Sequence, residues 1–511
     1  MTQVGRREFL KRLLIGGGAS LLPGAGTMLA HALGPAPARA AGPARVVVVG
    51  AGFAGLAAAW ELRRRGMTVN VLEARGRVGG RVHTLRGYFA DGQYADLGAE
   101  FVDTNHTTLL GYMKTLGVRA VKVLRGTNTV FFNGQLKDED RIGEFGAGVE
   151  EDLDRFDSQS AWLGTQVPDA RTPWKGPDPV RLDRLNLDEW MDRLKLHPFV
   201  KKYNAAWLSG CYATDLRDLS LLMYARDQKE TAHVPAEGEL AYRIAGGSSA
   251  VAEAFATRLG QAVELGAVVE AVDHDESGVR VHYRNGGRSR VAEGDYAVLT
   301  VPTTILKGIT FRPGLSQAKQ RSIDGMAYGG LAKVVLQYRR RVWRRPGYSG
   351  FVVTDLPVHC VWEATGNQTG RRGILTCFLG GSDAERLGRM SPRERVESAL
   401  AQVEKIYPGS RRAFEQGVSI YWNDQQFTRG SYSHYSPGTM TVIGPAAALP
   451  EGRLHFAGEH TDQVQGFMEG ALASGRRAAG EIGRRAQGQN IATWLLDYHL
   501  RRTERAALSP G

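Results

Sequence analysis

Between Val46 and Glu73 lie 28 residues that permit few folds. Ala44-Arg-Val-Val-Val-Val-Gly50 is a short apolar run of the kind buried on both faces of a parallel sheet. It leads straight into Gly50-Ala-Gly52-Phe53-Ala54-Gly55, and then into a helix-forming stretch, Leu56 to Arg65, stopped by Gly66. A second strand, Thr68 to Leu72, ends at Glu73, 23 residues after Gly50. In such a unit Gly50 makes the tight turn, Gly52 lets a pyrophosphate approach the backbone, and Gly55 lets helix and strand pack closely. The helix N-terminus presents free N–H groups to the phosphates, and the acid accepts from a ribose hydroxyl. Strand, glycines, helix, strand and acid in register predict a dinucleotide site on an α/β, Rossmann-type domain. An acid rather than an arginine at position 73 argues against a 2′-phosphate.

The choice between a nicotinamide and a flavin dinucleotide turns on the residues just downstream. Ala74-Arg75-Gly76-Arg77-Val78-Gly79-Gly80-Arg81-Val82 comes at once, then Asp96-Leu97-Gly98-Ala99-Glu100-Phe101. Glycine pairs beside arginines let backbone lie against a flat, anionic cofactor. Here the chain resembles the flavin-containing amine oxidase family, which includes monoamine, polyamine and L-amino-acid oxidases. The resemblance runs through nearly all of 44–487. It includes Ile244 to Ser249, Val263 to Val272, Ala297 to Pro302, Ile309 to Pro313, Leu454 to Glu459 and Gly466-Phe467-Met468-Glu469-Gly470-Ala471.

The resemblance implies non-covalent FAD in a discontinuous domain (44–120, 242–322 and 425–487), with a mixed sheet-and-helix substrate domain from 121–241 and 323–424. Residues 488–511 would be a helical tail. The candidate cofactor contacts are Gly50, Gly52, Phe53, Ala54, Gly55, Glu73, Ala74, Arg75, Gly80, Arg81, Gly98, Ala99, Glu100, Phe101, Val268, Trp422, Gly458, Glu459, Phe467 and Met468. Val268 matches the residue whose backbone meets adenine, and the helix after Phe467 should point its N-terminus at the flavin's pyrimidine end. Trp422 matches a packing tryptophan beneath the site. Three side chains are candidates for the chemistry. Lys333 is a charge inside the apolar strand Ala332 to Tyr338, a placement that is costly without partners; it matches the family lysine that reaches flavin N5 through water and assists reoxidation by oxygen. Tyr432 and Phe467 match the two aromatics that flank the substrate amine, Phe467 keeping the ring face without a hydroxyl. Ser431 stands where some monoamine oxidases carry the cysteine bonded to FAD.

The expected reaction converts an amine, oxygen and water to a carbonyl compound, ammonia and hydrogen peroxide. L-Amino-acid oxidases carry Gly-Ala-Met-Arg where this chain has Gly98-Ala99-Glu100-Phe101, and their arginine clamps the substrate carboxylate. A carboxylate buried without a cation forfeits ~2–5 kcal/mol, so a non-carboxylate amine is favoured and an L-amino acid is the alternative. Arg226 and Arg243 are other arginines that could supply a clamp, and Glu100 could simply hold backbone or Arg81. A flavin-binding protein without turnover, or a desaturase or porphyrinogen oxidase on the same scaffold, are the remaining readings.

Composition narrows the setting. Of the net charge of +12, +4 belongs to residues 1–40 and the rest is dispersed without a long basic, aromatic-interleaved block, which argues against nucleic-acid binding. Arg6-Arg7-Glu-Phe-Leu-Lys11, a charge-free stretch from Leu13 to Ala38 and Ala38-Arg39-Ala40 resemble a twin-arginine export signal with its cleavage site, although Gly5 replaces the usual Ser or Thr. Glycines 16–18, Pro23, Gly24 and Gly26 break that stretch as a spanning helix, so a soluble periplasmic or secreted protein is expected, with a homodimer as one open state. Three scattered cysteines make no disulfide framework and are expected as buried thiols. No nucleophile-elbow, P-loop or metal-ligand spacing occurs, His455 and His460 included.

Overall fold

A computed structural model describes residues 42–235, 238–344 and 347–489. The segment expected to be an export signal and nearly all of the proposed tail lie outside the described residues.

Strand β1 (Arg45–Val49) is the centre of a five-stranded parallel sheet, with β2 (Thr68–Glu73) and Val263–Leu265 on one side and Tyr296–Leu299 and Leu454–Phe456 on the other. Both faces are covered, which explains the unbroken valines. Val46 and Val48 pack among helices, while Val47 and Val49 pack under the four-stranded sheet formed by Val268–His274, Val279–Asn285, Arg288–Gly294 and Thr310–Arg312. Helix α1 (Phe53–Arg64) follows the glycine turn and crosses the long helix Met468–Ala486. The crossing is close because of Gly475: a Cβ there would fall 2.1 Å from the Ala54 carbonyl oxygen. The sheet and its two helices therefore join the beginning of the described chain to its end.

The second body is built on a seven-stranded sheet, in the order Phe414–Tyr421, Leu331–Tyr338, Gly373–Gly380, Cys360–Glu363, Tyr348–Thr354, Thr127–Phe132, Gln135–Asp138. All its neighbours are antiparallel except Tyr348–Thr354 with Thr127–Phe132. Helix Pro392–Ile406, started by a Ser391/Glu394 capping box, packs Ala399, Leu400, Val403 and Ile406 on one side of it. The helices Leu187–Arg193, Pro198–Tyr212 and Leu221–Thr231 gather in a separate apolar cluster with Met326, Tyr435 and Met440. A three-stranded ladder (Phe101–Val102, Tyr242–Ile244, Ala120–Lys122) and the pair Ala327–Tyr328 with Ser433–His434 tie the bodies together. Among the described residues no helix is long and apolar enough to cross a membrane, and no cluster of His, Cys, Asp and Glu could hold a metal.

The three thiols are free. Cys360 and Cys377 are buried as expected, but Cys211 is accessible, a correction to the sequence reading. Its surroundings nonetheless push its thiol up to about 12, desolvation first and the Glu239 and Asp103 charges next.

Two buried histidines sit near the seam. Burial pushes both His434 and His460 down to about 4, against the opposing pull of Glu459. Unfolded histidine titrates near ~6.5, so below that pH the unfolded chain takes up two protons that the folded chain refuses until about 4. Their contribution is complete above pH ~6.5 and is lost as pH falls towards 4. Asp96, pushed up to about 6 by burial and then by the Glu100 charge, opposes this by one proton. The expected outcome is a Tm that falls between pH 6.5 and 4, with a shallower fall in His434→Gln; thermal melts in that window check it, and an unchanged slope in the variant would remove His434 from the effect.

Candidate active site

The glycine turn has one packed side and one open side. A Cβ on Gly55 would fall 1.9 Å from the Gly50 carbonyl oxygen, whereas one on Gly52 would meet no atom within 4 Å. Gly50 itself has φ +102°, a conformation that excludes most side chains. Helix α1 starts at Gly52 without a side-chain cap and without an acid in its first turn, leaving its N–H groups for an anion. Gly80 lies beside this opening, its Cβ position 3.5 Å from Gly52 Cα. Phe53 and Ala54 are buried in the first turn.

Glu73 is buried at the end of β2 and accepts from Ala51 N (2.8 Å) and Arg75 N (2.9 Å), which holds the turn and the basic loop together. The backbone of the same stretch meets the segment before Val268, with Ala267 N donating to Glu73 O and Gly266 N to Arg75 O. Glu73, Ala74, Arg75 and Val268 are thus neighbours. Burial and then the Arg75 charge push Arg77 down to about 10, the mark of a cation crowded by another cation. The open glycine, the uncapped helix and these arginines fit an anionic dinucleotide.

From Arg81 onward the site is organised by Glu459. Arg81 Nη1 donates to Glu459 Oε1 (2.7 Å) and to the Ser431 carbonyl (2.5 Å). The other carboxylate oxygen accepts from Ser433 Oγ (2.8 Å) and Gly466 N (3.0 Å). Burial would raise this carboxyl, but the Arg81 guanidinium, His460 and the hydrogen bonds from Arg81 and Ser433 together hold the pKa below the usual range. One carboxylate therefore binds the loop after β2 to the two segments that carry Tyr432 and Phe467. Gly466 lies against the Tyr432 ring, its Cβ position 3.5 Å from the ring carbons. Tyr432 Oη donates to the Gly210 carbonyl (2.6 Å), next to the accessible Cys211. Phe467 is 47% exposed and meets His106 edge-on. It also precedes Met468, the buried first residue of the long helix, which has no side-chain cap. Gly458 N donates to Ser474 Oγ of that helix.

The segment 96–101 supplies the floor. Ala99 N donates to the Arg81 carbonyl, and Trp422, almost wholly buried, donates to the Leu97 carbonyl (3.2 Å) within the apolar cluster that also holds Tyr432. Lys333 is 3% exposed, and its three N–H groups meet three acceptors: Gly98 O (2.8 Å), Glu100 Oε2 (2.9 Å) and Asp96 O (3.2 Å). Glu100 also pairs with Arg243 (3.0 Å) and accepts from Trp362 Nε1 (3.1 Å). Burial would raise its pKa, and Lys333 and Arg243 together lower it. The structure corrects one option for Glu100: Arg81 is held by Glu459, not by it. Phe101 stacks over the Arg243 guanidinium (4.8 Å) and against Trp362.

The arginines considered as carboxylate clamps are both engaged. Arg226 pairs with Asp227 (2.7 Å) and donates to Gln465 (2.9 Å), while Arg243 donates to the Glu363 and Ala364 carbonyls besides its pair with Glu100. Several members were not found from the sequence. Asp96 is buried, accepts from Thr84 Oγ1 and Ser248 N, and ties the loop to the helix Ser249–Leu259. Trp362 had no signal beyond its apolar strand. Glu469 caps the helix Thr107–Leu116 through Thr108 N and Leu109 N; an acid inside a glycine-rich helix start was the available clue.

The model of the family described as flavin containing amine oxidoreductase matches residues 53–483. Similar proteins include human amine oxidase [flavin-containing] B, 29% identical over 454 residues (86% of this chain and 85% of the relative). The putative flavin-containing monoamine oxidase AofH of Mycobacterium tuberculosis is 30% identical over 447 residues, covering 86% and 96%. Among solved structures, wild-type putrescine oxidase bound to putrescine superposes with TM-score 0.79 at 25% identity (86% and 99% covered). Cyclohexylamine oxidase from Brevibacterium oxydans does so with TM-score 0.79 at 26% (87% and 100%). The fold, the dinucleotide-type turn and the matched residues converge: the chain belongs to the flavin-containing amine oxidoreductases, enzymes that act on amines.

Proposed function

We propose that the protein is an exported amine oxidase carrying non-covalent FAD, and that its substrate is an amine without a carboxylate. The observation that carries the substrate class is the engagement of Arg226 and Arg243 by Asp227, Gln465, Glu100 and main-chain carbonyls, with Phe101 in the place of a clamp. Solved relatives named for putrescine and cyclohexylamine support it.

When bound, FAD supplies a two-electron, one-hydride acceptor that oxygen regenerates. The chain's own residues do the rest. The open side of Gly52 and the start of α1 hold the pyrophosphate, with Glu73 on a ribose. Tyr432 and Phe467 exclude water and orient a small neutral amine. Glu459 fixes the spacing of those two rings by holding Ser433 and Gly466. Loss of hydride from the carbon next to the amine leaves an imine, which water hydrolyses to a carbonyl compound and ammonia; oxygen leaves as hydrogen peroxide. Lys333 places a positive charge where oxygen is reduced. Ser431 cannot form a thioether, which supports non-covalent attachment. Arg6-Arg7 and Ala38-Arg39-Ala40 support export as a folded, loaded protein.

Three measurements test this reading. Peroxide release over matched pairs (tyramine and L-tyrosine, phenethylamine and L-phenylalanine, cadaverine and L-lysine) should give the amine the higher kcat/KM in each; a consistent preference for the amino acids would overturn the substrate class. The purified protein should be yellow and surrender its flavin to the supernatant on acid precipitation, and Gly52→Val should purify without flavin, since the new side chain fills the open face; a yellow variant would refute the assigned pyrophosphate site. Replacing Arg6 and Arg7 by lysine should retain the full-length chain in the cytoplasm, and unimpaired export would exclude the twin-arginine route.

A further inference from the structure

Lys333 and Glu100 form a direct ion pair in the interior, each side chain 3% exposed. An ammonium has three donors, and here all three are spent: two on main-chain carbonyls and one on Glu100. Glu100 is the carboxylate in direct contact with it, while the Asp96 carboxyl, pushed up to about 6, adds a second negative charge nearby above that pH. The other groups facing the ammonium are the rings of Trp362 (5.2 Å) and Phe378 (5.9 Å), with Asp96 and Arg243 the remaining titratable or charged neighbours. Glu100 is itself held from three sides, by Lys333, Arg243 and Trp362, so it cannot turn away. Arg243 is in turn anchored to the Glu363 and Ala364 carbonyls. The trio of Lys333, Arg243 and Glu100 carries one net positive charge at fixed positions. A cavity of about 330 Å³, lined by Tyr94, Asp96, Glu100, Arg119, Arg243 and Gln368, reaches Glu100 and Arg243 of this trio.

We propose that Glu100 is a positioning residue for the oxygen half-reaction, holding Lys333 in place as an ammonium. The inference rests on the reading of the chain as a flavin-dependent oxidase. In that half-reaction oxygen takes two electrons and one proton from the reduced flavin and a second proton from solvent, giving hydrogen peroxide and oxidised flavin. Negative charge develops on oxygen before the protons arrive, and a fixed cation stabilises it without reorganisation. A mobile lysine, or a neutral one, would lose that advantage. Removing a carboxylate from a buried lysine favours the neutral amine, and removing a neighbouring cation favours the charged one.

The test uses holoenzyme reduced anaerobically with dithionite, so that it does not depend on any amine, then mixed with oxygen in a stopped-flow instrument between pH 6 and 10, with rates taken per bound flavin. In Glu100→Gln the pH at which reoxidation slows should move down by about one unit or more. In Arg243→Met it should stay or move up. Lys333→Met should be slow at every pH, and Glu100→Gln combined with Lys333→Met should match Lys333→Met alone. A Glu100→Gln profile that superposes on wild type, a downward move in Arg243→Met, an added effect of Glu100→Gln without the lysine, or fast reoxidation in Lys333→Met would each overturn the proposal. Arg243→Met decides the sign on its own if Glu100→Gln does not fold. Reduction by amines is measured separately: its failure alone would overturn the amine reading while leaving the Glu100 result standing.

Discussion

The Glu459 carboxylate is the junction on which the site depends. It sits between three chain segments that approach from different parts of the sequence: the loop after β2 through Arg81, the strand before the helical cluster through Ser433, and the start of the long helix through Gly466. Each contact taken singly is an ordinary hydrogen bond. Together they make a buried charge whose every partner is also a structural member of the site, and leaving such a charge without its cation costs about 3–5 kcal/mol. The two aromatic rings therefore keep their separation because a carboxylate, rather than apolar packing, fixes the main chain beside each of them.

Glu100 repeats this device on the other side of the floor formed by residues 96–98. There two cations share one carboxylate, whereas at Glu459 one arginine and three neutral donors from Ser433 and Gly466 surround it. Between the two junctions the Gly98 and Leu97 carbonyls are occupied by Lys333 and Trp422, so the main chain of the floor is tied to two buried side chains.

Much of the fold was legible because it obeys local rules. The valines of β1 announced a strand covered on both faces, and the glycines between β1 and α1 announced where backbone must approach backbone. The strand at Leu331–Tyr338 appeared where the apolar run from Ala332 placed it. Lys333 stood out since a charge in an apolar strand demands partners. The identity of those partners could not be read: Glu100 meets Arg243 and Trp362 only through register in two separate sheets, with Phe101 opposite Arg243 in one and Trp362 opposite Thr376 in the other. Nor did Cys211 betray that it would be accessible, for exposure at one helical position is a property of packing and leaves no periodic trace. The partners of Arg226 and Arg243 were hidden for the same reason, so the question of a carboxylate clamp waited on three dimensions.

The order of strands in the parallel sheet has a consequence for the life of the chain. Its central strand is complete by Val49, but the neighbour at Tyr296–Leu299 is separated from it by some two hundred and fifty residues, and the edge at Leu454–Phe456 by four hundred. Helix α1 finds its main packing partner only in Met468–Ala486. At ~5–20 residues per second a ribosome needs roughly 25–100 s for a chain of this length, and for most of that time the first strand, the glycine turn and α1 have β2 beside them but neither the strand Tyr296–Leu299 on the other side nor the long covering helix. Topologies dominated by such distant pairings close slowly. The pocket for the dinucleotide is therefore written first and finished last, and it comes into existence as a late event of folding, after synthesis is essentially over.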